Sequence, residues 1–265
     1  MTAAARRLYD DQVVILTLSV RRKGWIMPVS DRFIKLEPGK QQKILDAAVD
    51  EFARHGFRQA SVNRIVQAVG IAKGSLFQYF GSKEGLFQFV FRHAVELVRG
   101  RLRCVKEETR DADFFERIRQ SILAGVRFID EHPHVYQIYL KMIFQEGFPW
   151  RAEFLQQVRL FSAEYLRPHL ERGIRDGELR DDLDVDLALF FLDASMDRFL
   201  QAYAVSFLDA GVGLYRADPE QVMRFIDEFM LLLRHGLGKG TGVMVSTPRR
   251  PGVGKTPAAE SADRT

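Results

Sequence analysis

The chain has 265 residues and a hydrophobic content of 46%, which is enough for one or two globular domains with a packed core. No apolar run reaches the roughly 18 to 20 residues that a membrane-spanning helix needs. Cys104 is the single cysteine, which excludes an internal disulfide and a cysteine metal cluster. Together these features predict a cytoplasmic protein with no membrane partner.

The net charge of +4 is distributed unevenly along the chain. Residues 37–92 contain eight Lys/Arg and five Asp/Glu, whereas residues 93–235 contain 19 Lys/Arg and 25 Asp/Glu. A basic segment attached to an acidic body indicates that this segment, and not the body, meets a polyanion. The alternative is chance unevenness, since the excess in the basic segment is small.

Both ends of the chain are predicted to lie outside the folded domains. Residues 1–36 form a predicted N-terminal extension that is either disordered or, over residues 1–26, a mis-assigned upstream start, because Met27 begins a more ordinary N-terminus. Val13–Val20 is not read as a secretory signal, since basic residues follow it and no small-residue cleavage site is present. Residues 236–265 contain six Gly, three Pro and no aromatic residue, which predicts a disordered tail.

Between the two ends the sequence is helical throughout. Apolar residues recur at helical spacing, and Ser, Asp, Pro and Gly stand at the predicted starts and stops. The predicted helices span residues 40–56, 61–70, 73–80, 83–106, 111–131, 133–146, 150–176, 184–209 and 218–235. Pro168 lies inside one of them and is expected to kink or split it. No segment alternates with period two, so the predicted fold is all-α.

The first three helices have the outline of a helix-turn-helix, in which a long helix precedes two short ones joined by a tight turn at residues 69–72. Apolar positions supply a small core, formed by Ile65, Val66, Val69, Ile71, Leu76 and Phe80. The remaining positions of the third helix form its outer face, which consists of Lys73, Gly74, Ser75, Phe77, Gln78 and Tyr79. Gly74 leaves room for DNA, and Lys73 and Gln78 can donate hydrogen bonds to base edges or phosphates. Lys83 opens the next helix, where a phosphate is favoured.

Residues 40–92 resemble the DNA-binding domain of the TetR/AcrR family of bacterial regulators. The resemblance rests on Gly56-Phe57, on Ser61 opening the second helix, and on the run VGIAKGSLFQYF over residues 69–80, followed by SKEGL at residues 82–86. It implies phosphate contacts by Ser61, Tyr79 and Lys83. It implies a base-reading face made of Lys73, Gly74, Ser75 and Gln78. Further candidate DNA contacts are Asn63 and Arg64 at the start of the second helix and Phe77, which can pack against a sugar or a thymine methyl.

The motif departs from the family pattern at three positions. Phe77 stands where the family usually has Tyr, Gln78 where His is common, and Ala72 where a Ser or Thr caps the recognition helix. These departures affect individual contacts and not the groove-reading role. The alternatives are that Phe77 and Tyr79 are core aromatics and that Lys83 is an ordinary solvated lysine, and the role of Arg64 stays open.

The region that follows is large and rich in aromatic residues, since sixteen of the 21 Phe lie from Phe87 onward. Such a helical domain can enclose an apolar pocket, and the family resemblance implies a small-molecule effector there. The candidate pocket residues are Phe115, Phe128, Tyr136, Tyr139, Met142, Phe144, Phe161, Tyr165 and Met196. The alternative for each of these residues is that it packs in the hydrophobic core and contacts no ligand. No Arg or His stands out as an anchor for a charged ligand, so an apolar or amphipathic effector is expected, such as a hydrophobic drug or a fatty acyl compound.

The last two predicted helices are long and amphipathic, and such helices can pair with their copies as a four-helix bundle. The family resemblance implies dimerisation of this kind. The candidate dimer residues are Leu187, Phe190, Phe191, Phe199, Val222, Phe225, Phe229 and Leu233. The alternative is packing within one chain alone.

The patterns and the resemblance together predict a DNA-binding transcriptional regulator that acts as a repressor. It is predicted to occupy a palindromic operator as a homodimer, on the bacterial nucleoid, and to be released by a small, hydrophobic effector. The helix-turn-helix domain is predicted at residues 37–84 and the effector-binding and dimerisation domain at residues 85–235. No catalytic arrangement, cofactor site or set of four zinc ligands is readable, so no enzyme is predicted. Two alternatives stay open: an all-α ligand-binding protein or enzyme with a vestigial helix-turn-helix, and a DNA-binding protein without an effector.

Overall fold

The computed structural model describes residues 29–145, residue 148 and residues 150–238, and these residues form ten α-helices and one short 3-10 helix, η1. The helices are α1 (Asp31–Ile34), α2 (Pro38–Gln59), α3 (Val62–Val69), α4 (Lys73–Phe80), α5 (Lys83–Glu108), α6 (Phe114–Glu131), α7 (Pro133–Phe144), α8 (Arg151–Arg175), α9 (Val185–Ala204), η1 (Ser206–Leu208) and α10 (Pro219–Leu237). The predicted all-α fold is confirmed. The predictions for residues 1–28 and 239–265 lie outside the described residues.

Side-chain caps fix where several helices begin. Ser61 Oγ accepts a hydrogen bond from the Arg64 backbone N–H at 3.4 Å, and Ser82 Oγ accepts one from Gly85 at 3.1 Å. Asp218 Oδ1 accepts from Gln221 at 2.9 Å in the same way. Each cap satisfies an N–H group that has no partner within its helix.

Two helices differ from their predicted course. The first long helix is assigned beyond Gly56 to Gln59, although Gly56 has a φ of 65° and interrupts the helical backbone at the predicted stop. Pro168 does not split its helix, because α8 continues on both sides of it. Two buried leucines on the same helix, Leu166 and Leu170, anchor α8 on either side of the proline. This packing offsets the single backbone hydrogen bond that a proline removes.

Two hydrophobic clusters form the core of the described residues. One cluster joins α1–α5 to Phe128, Val135 and Met142, which belong to helices of the predicted second domain. The other cluster is built from α6 and α8–α10, with Ile118, Ile122 and Leu192 fully buried. The helix-turn-helix therefore shares the first cluster with parts of the helices that follow it, and the second cluster belongs to those later helices alone.

Residues 29–36 are ordered, although the sequence places them in a disordered or mis-assigned N-terminal extension. They form α1 and its flanks, and the Phe33 side chain is fully buried in the first cluster. A four-residue helix has no stability of its own, so its order comes from this tertiary packing. None of the helices in the described part of the chain is long and apolar enough to span a bilayer.

Candidate DNA-binding surface and effector cavity

The outer face of α4 is exposed, whereas its inner face is buried. Leu76 and Phe80 are 0% and 3% exposed, and they pack with Ile65 of α3 in the first cluster. The exposed residues of α4 are Lys73, Gly74, Phe77 and Gln78, while Ser75 and Tyr79 are half-buried. A short helix held by one face presents the other to a groove, which is the geometry of a recognition helix.

Two glycines of the motif, Gly74 in the first turn of α4 and Gly85 in the first turn of α5, serve different purposes. A Cβ at Gly85 would lie 2.0 Å from the Phe80 carbonyl oxygen, so the fold itself requires glycine there. A Cβ at Gly74 would meet nothing within 4 Å. Nothing in the described chain therefore demands glycine at position 74, which is consistent with close approach by an outside molecule.

Two of the three residues predicted to contact phosphate, Ser61 and Lys83, meet at the turn between α2 and α3, and Tyr79 does not. Lys83 Nζ donates a hydrogen bond to the Arg58 carbonyl oxygen at 3.1 Å, and Arg64 Nη2 donates to the Gln59 carbonyl oxygen at 2.9 Å. Ser61 closes the same turn and caps α3. Lys83 also lies over the Phe57 ring, 4.8 Å from its centroid, and burial lowers the pKa of Lys83.

Arg64 has an internal partner that the sequence analysis did not identify. Its Nη2 lies 2.5 Å from Oε1 of Glu51, and Glu51 also accepts the Ser61 backbone N–H at 2.7 Å. Burial raises the pKa of Glu51, but the hydrogen bonds from Arg64 and Ser61 lower it further, so that the net pKa is lowered. Arg64 thus joins α2 to α3, and its role as a DNA contact stays a prediction, as does that of the exposed Asn63.

The aromatic residues of the outer face are not equivalent. Phe77 is 38% exposed, whereas the Tyr79 ring packs 5.8 Å from the Phe33 ring, centroid to centroid. Tyr79 therefore packs partly as a core aromatic residue, as the alternative interpretation of this position predicts. Its phosphate contact stays a prediction.

A cavity of about 240 Å³ lies between α5, α6, α7, α8 and α9. Six predicted effector residues line it: Phe128, Tyr136, Tyr139, Met142, Tyr165 and Met196. Phe115 is not among the lining residues and belongs to the second core cluster. Phe144 is 51% exposed at the end of α7, with its ring facing that of Phe207. The side chain of Phe161 lies outside the described part of the structure.

The cavity wall carries a charged network that the sequence pattern alone does not indicate. Arg159 donates hydrogen bonds to Asp193 at 2.7 Å and to Asp197 at 2.8 Å. Tyr139 joins the network, because its hydroxyl donates to Asp197 at 2.9 Å. The expectation that no arginine stands out in the pocket region is therefore corrected by Arg159. The available signal was the spacing of Asp193 and Asp197, which places two carboxylates four residues apart on one face of an apolar helix.

Hydroxyl groups provide the remaining polarity of the cavity. Tyr165 and Ser121 hydrogen-bond each other at 2.8 Å. The hydroxyl of Tyr136 is buried and has no hydrogen-bond partner among the described residues. Burial and the nearby Asp197 carboxylate raise the pKa of Tyr136, so its hydroxyl stays protonated and able to donate. An unsatisfied donor in an apolar cavity is the group that a ligand would satisfy.

The predicted dimer residues divide into exposed and buried groups. Leu187, Phe190 and Phe191 are 65%, 69% and 49% exposed along one side of α9. Phe225 and Phe229 are half-buried on α10. Phe199, Val222 and Leu233 are buried in the second core cluster of the single chain, and their part in a dimer stays a prediction.

This geometry defines a class of protein: a helix-turn-helix module whose core continues into a helical domain with an internal cavity. Residues 44–90 match the model of bacterial regulatory proteins of the tetR family, and residues 112–238 match the tetracyclin repressor-like C-terminal domain. The chain belongs to the TetR/AcrR family of transcriptional regulators.

Individual relatives agree with this assignment. The chain is 24% identical to the probable acrEF/envCD operon repressor of Escherichia coli K12 over 72% of this chain and 86% of that protein. It is 30% identical to the transcriptional repressor KstR2 of Rhodococcus jostii over 58% of this chain and 74% of that protein. A crystal structure of a TetR family regulator from Chloroflexus aurantiacus has a TM-score of 0.58 and 28% identity, covering 80% of this chain and 99% of its own. The predicted function as a DNA-binding transcriptional regulator is confirmed.

Proposed function

We propose that the chain represses transcription as a homodimer on a palindromic operator, and that a small molecule in the cavity releases it from DNA. The observation that carries this proposal is the outer face of α4, where Lys73, Gly74 and Gln78 are exposed above a buried inner face. Ser61 at the turn between α2 and α3, and Lys83 of α5, whose Nζ reaches that turn, supply donors for the flanking phosphates. A dimer presents two such faces, which suits an operator with two-fold symmetry.

Helix α7 supports a direct connection between the cavity and the DNA-binding helices. Tyr136, Tyr139 and Met142 of this helix line the cavity. On the same helix, His134 Nδ1 lies 3.3 Å from the Asp50 carboxylate of α2. A ligand that displaces α7 therefore also displaces α2. This movement would change the distance between the two helix-turn-helix domains of a dimer. Release follows if the effector binds the displaced state more tightly than the DNA-bound state.

The charges of the cavity favour an uncharged or cationic effector over an anionic one. Arg159 faces two carboxylates, Asp193 and Asp197, so this network carries one negative charge in excess. The other cation among the lining residues, Arg101, is paired with Glu131. A carboxylate ligand would find no free cation among the described lining residues and would lose its hydration on entry.

The size and the hydroxyl groups of the cavity further limit which molecules can be the effector. An apolar cavity of about 150 Å³ holds one benzene molecule, so 240 Å³ suits a ligand with about ten non-hydrogen atoms. Tyr136 offers one donor, which matches a single hydroxyl, carbonyl or ether oxygen. We therefore propose a compact apolar effector with one hydrogen-bond acceptor.

Footprinting tests the DNA-binding part of the proposal. DNase protection is measured with the purified protein on the DNA upstream of its own gene, followed by genome-wide selection of bound fragments. A symmetric site that weakens with salt is expected. Lys73→Ala should reduce the slope of log affinity against log salt by about 2, because the dimer loses one phosphate-neutralising lysine from each protomer. Absence of any site in both experiments contradicts the proposal and favours a vestigial helix-turn-helix.

Three ten-carbon probes test the effector part. Decan-1-ol, decylamine and decanoate are compared below their micelle concentrations, by thermal shift and by release of operator DNA. The alcohol and the amine are expected to bind at least about tenfold more tightly than decanoate, because the excess charge of the network repels an anion. Tyr136→Phe, which preserves the ring, should weaken decan-1-ol binding about fivefold by removing one hydrogen bond. Preferred binding of decanoate would contradict the proposed effector class, and no response to any probe would favour an effector-independent protein.

A further inference from the structure

Helix α1 is attached to the recognition helix, although it lies before the predicted helix-turn-helix domain and before the matched residues 44–90. The Phe33 ring lies 4.9 Å from that of Phe80 and 5.2 Å from that of Phe89, centroid to centroid. The Ser30 backbone N–H donates to the Tyr79 carbonyl oxygen at 3.0 Å. These contacts hold α1 against the C-terminal half of α4.

The connection between α1 and α2 is also fixed. The buried Gln41 donates through Nε2 to the carbonyl oxygens of Ile34 and Leu36, at 3.0 and 2.9 Å. Both ends of α1 are therefore held, one by Tyr79 and the other by Gln41. The residue next to Phe33 consequently has a defined position beside α4.

That residue is Arg32, which is exposed and donates from Nη1 to Oε1 of Gln78 at 2.7 Å. No carboxylate lies within ion-pair distance of Arg32 among the described residues, in contrast to Arg64, which is paired with Glu51. A guanidinium without a carboxylate partner, beside the base-reading face, keeps its full charge for an outside anion. We propose that Arg32 extends the DNA-reading surface and sets the hydrogen-bonding direction of Gln78.

The pairing determines what Gln78 can read. A guanidinium has no acceptor, so the Gln78 atom that faces it must be the amide oxygen. Because its oxygen is turned toward Arg32, Gln78 presents the donors of its NH₂ group to DNA, and the cation beside the oxygen competes for its remaining lone pair. Arg32 itself offers only donors. The two-bond recognition of adenine by glutamine needs one donor and one acceptor, whereas guanine presents two acceptors, O6 and N7. The pair therefore favours guanine over adenine at the base pair facing Gln78.

The inference rests on DNA binding by α4, so it is tested on the full chain after the wild-type operator has been established by selection from a random library. Arg32→Ala is compared with Arg103→Ala, which removes the same charge from an exposed position on α5. Arg32→Ala should lower operator affinity at least tenfold with an unchanged thermal midpoint, since the side chain is exposed. It should also shift the preferred base at one symmetric position from guanine toward adenine, because the amide oxygen of Gln78 becomes free.

The base preference of the operator distinguishes the two possible roles of Arg32. A structural role would lower the affinity for DNA without changing which base is preferred. Gln78→Ala should abolish the preference at the same position, which assigns that position to the pair. Wild-type affinity and unchanged base preferences in Arg32→Ala would overturn the inference. Failure of the wild-type chain to select any operator is a different result, and it would count against DNA binding itself.

Discussion

Two glycines that lie eleven positions apart in the sequence, Gly74 and Gly85, are required for different reasons. Gly85 faces the Phe80 carbonyl oxygen, whereas the space around Gly74 is open. The sequence shows that both interrupt helices where glycine is unfavourable, but it does not separate them. The separating contact depends on the angle between α4 and α5, which is a tertiary property.

Alanine at these two positions should have opposite effects on folding. Gly85→Ala is expected to destabilise the chain by about 3 kcal/mol or more, because the new Cβ overlaps a backbone oxygen. Gly74→Ala should leave the free energy of unfolding unchanged or raise it by up to about 1 kcal/mol, since alanine favours a helix. Denaturant unfolding measures both values.

Operator binding separates Gly74 from an ordinary surface position. Gly74→Ala is expected to weaken binding about tenfold or more, because the methyl group occupies space that closely approaching DNA needs. Retained affinity in a stably folded Gly74→Ala chain would show that DNA stays away from this position.

At the scale of elements, a buried arginine joins α5, α6 and α8. Arg117 of α6 donates to the carbonyl oxygens of Thr109 and Ala112, at 2.5 and 3.3 Å, where α5 has just ended. A cation is favourable at the C-terminal end of a helix. Arg117 Nη1 also lies 3.3 Å from Nδ1 of His169 on α8. Because arginine only donates, this nitrogen of His169 must accept, and the imidazole is neutral.

This arrangement predicts a loss of stability in acid. Burial and the Arg117 charge lower the pKa of His169 to about 4, whereas an unfolded histidine has a pKa of about 6.5. The unfolded chain therefore binds the extra proton between these values, and stability falls as pH drops through that window. Between pH 7.5 and 4.5, the titration of His169 should lower the free energy of unfolding by about 2 kcal/mol.

His169→Gln keeps an acceptor for Arg117 but does not titrate. The fall in unfolding free energy between pH 7.5 and 4.5, measured with denaturant, should be about 2 kcal/mol smaller in this variant than in the wild type. Part of the fall should remain, because burial also lowers the pKa of His93 to about 4. An equal fall in both proteins would mean that His169 is already charged in the folded chain.

Local signals in the sequence accounted for most helices but not for α1 or the charged network. Ser61, Ser82 and Asp218 were predictable as helix starts because a cap acts on its own helix within three residues. The order of α1 depends on where Phe33 meets Phe80, which lies 47 positions away along the chain. The same reason applies to Arg159 and Asp193, since partners on different helices leave no local pattern.

At the scale of the whole molecule, the first hydrophobic cluster crosses the predicted domain boundary, because it contains residues of the helix-turn-helix and of the helices that line the cavity. Met142 belongs to the core cluster that contains the helix-turn-helix, and it also lines the cavity. A ligand at Met142 thus touches the same cluster that supports Leu76 of α4. This continuity supports the proposed release mechanism without a separate hinge.

The exposed face of α9 leads to the last prediction, which concerns the dimer. Leu187, Phe190 and Phe191 lie on one side of α9, three and four residues apart, and Leu232 of α10 is 72% exposed. Exposed apolar residues concentrated on the two terminal helices are typical of a face that a second copy covers. Phe190→Glu would place an unpaired carboxylate in that interface, which should raise the dimer dissociation constant at least about 100-fold.

Sedimentation and operator binding, measured on the same samples, test this interface. The matched control is Phe207→Glu, because Phe207 is 76% exposed but lies on η1, outside both helices. Phe190→Glu should sediment as a monomer with an unchanged helical content, and it should protect a half-site only weakly, since each head then binds alone. If Phe190→Glu stays dimeric while Phe207→Glu dissociates, the interface lies at η1 and the two reading heads must be spaced by a different contact.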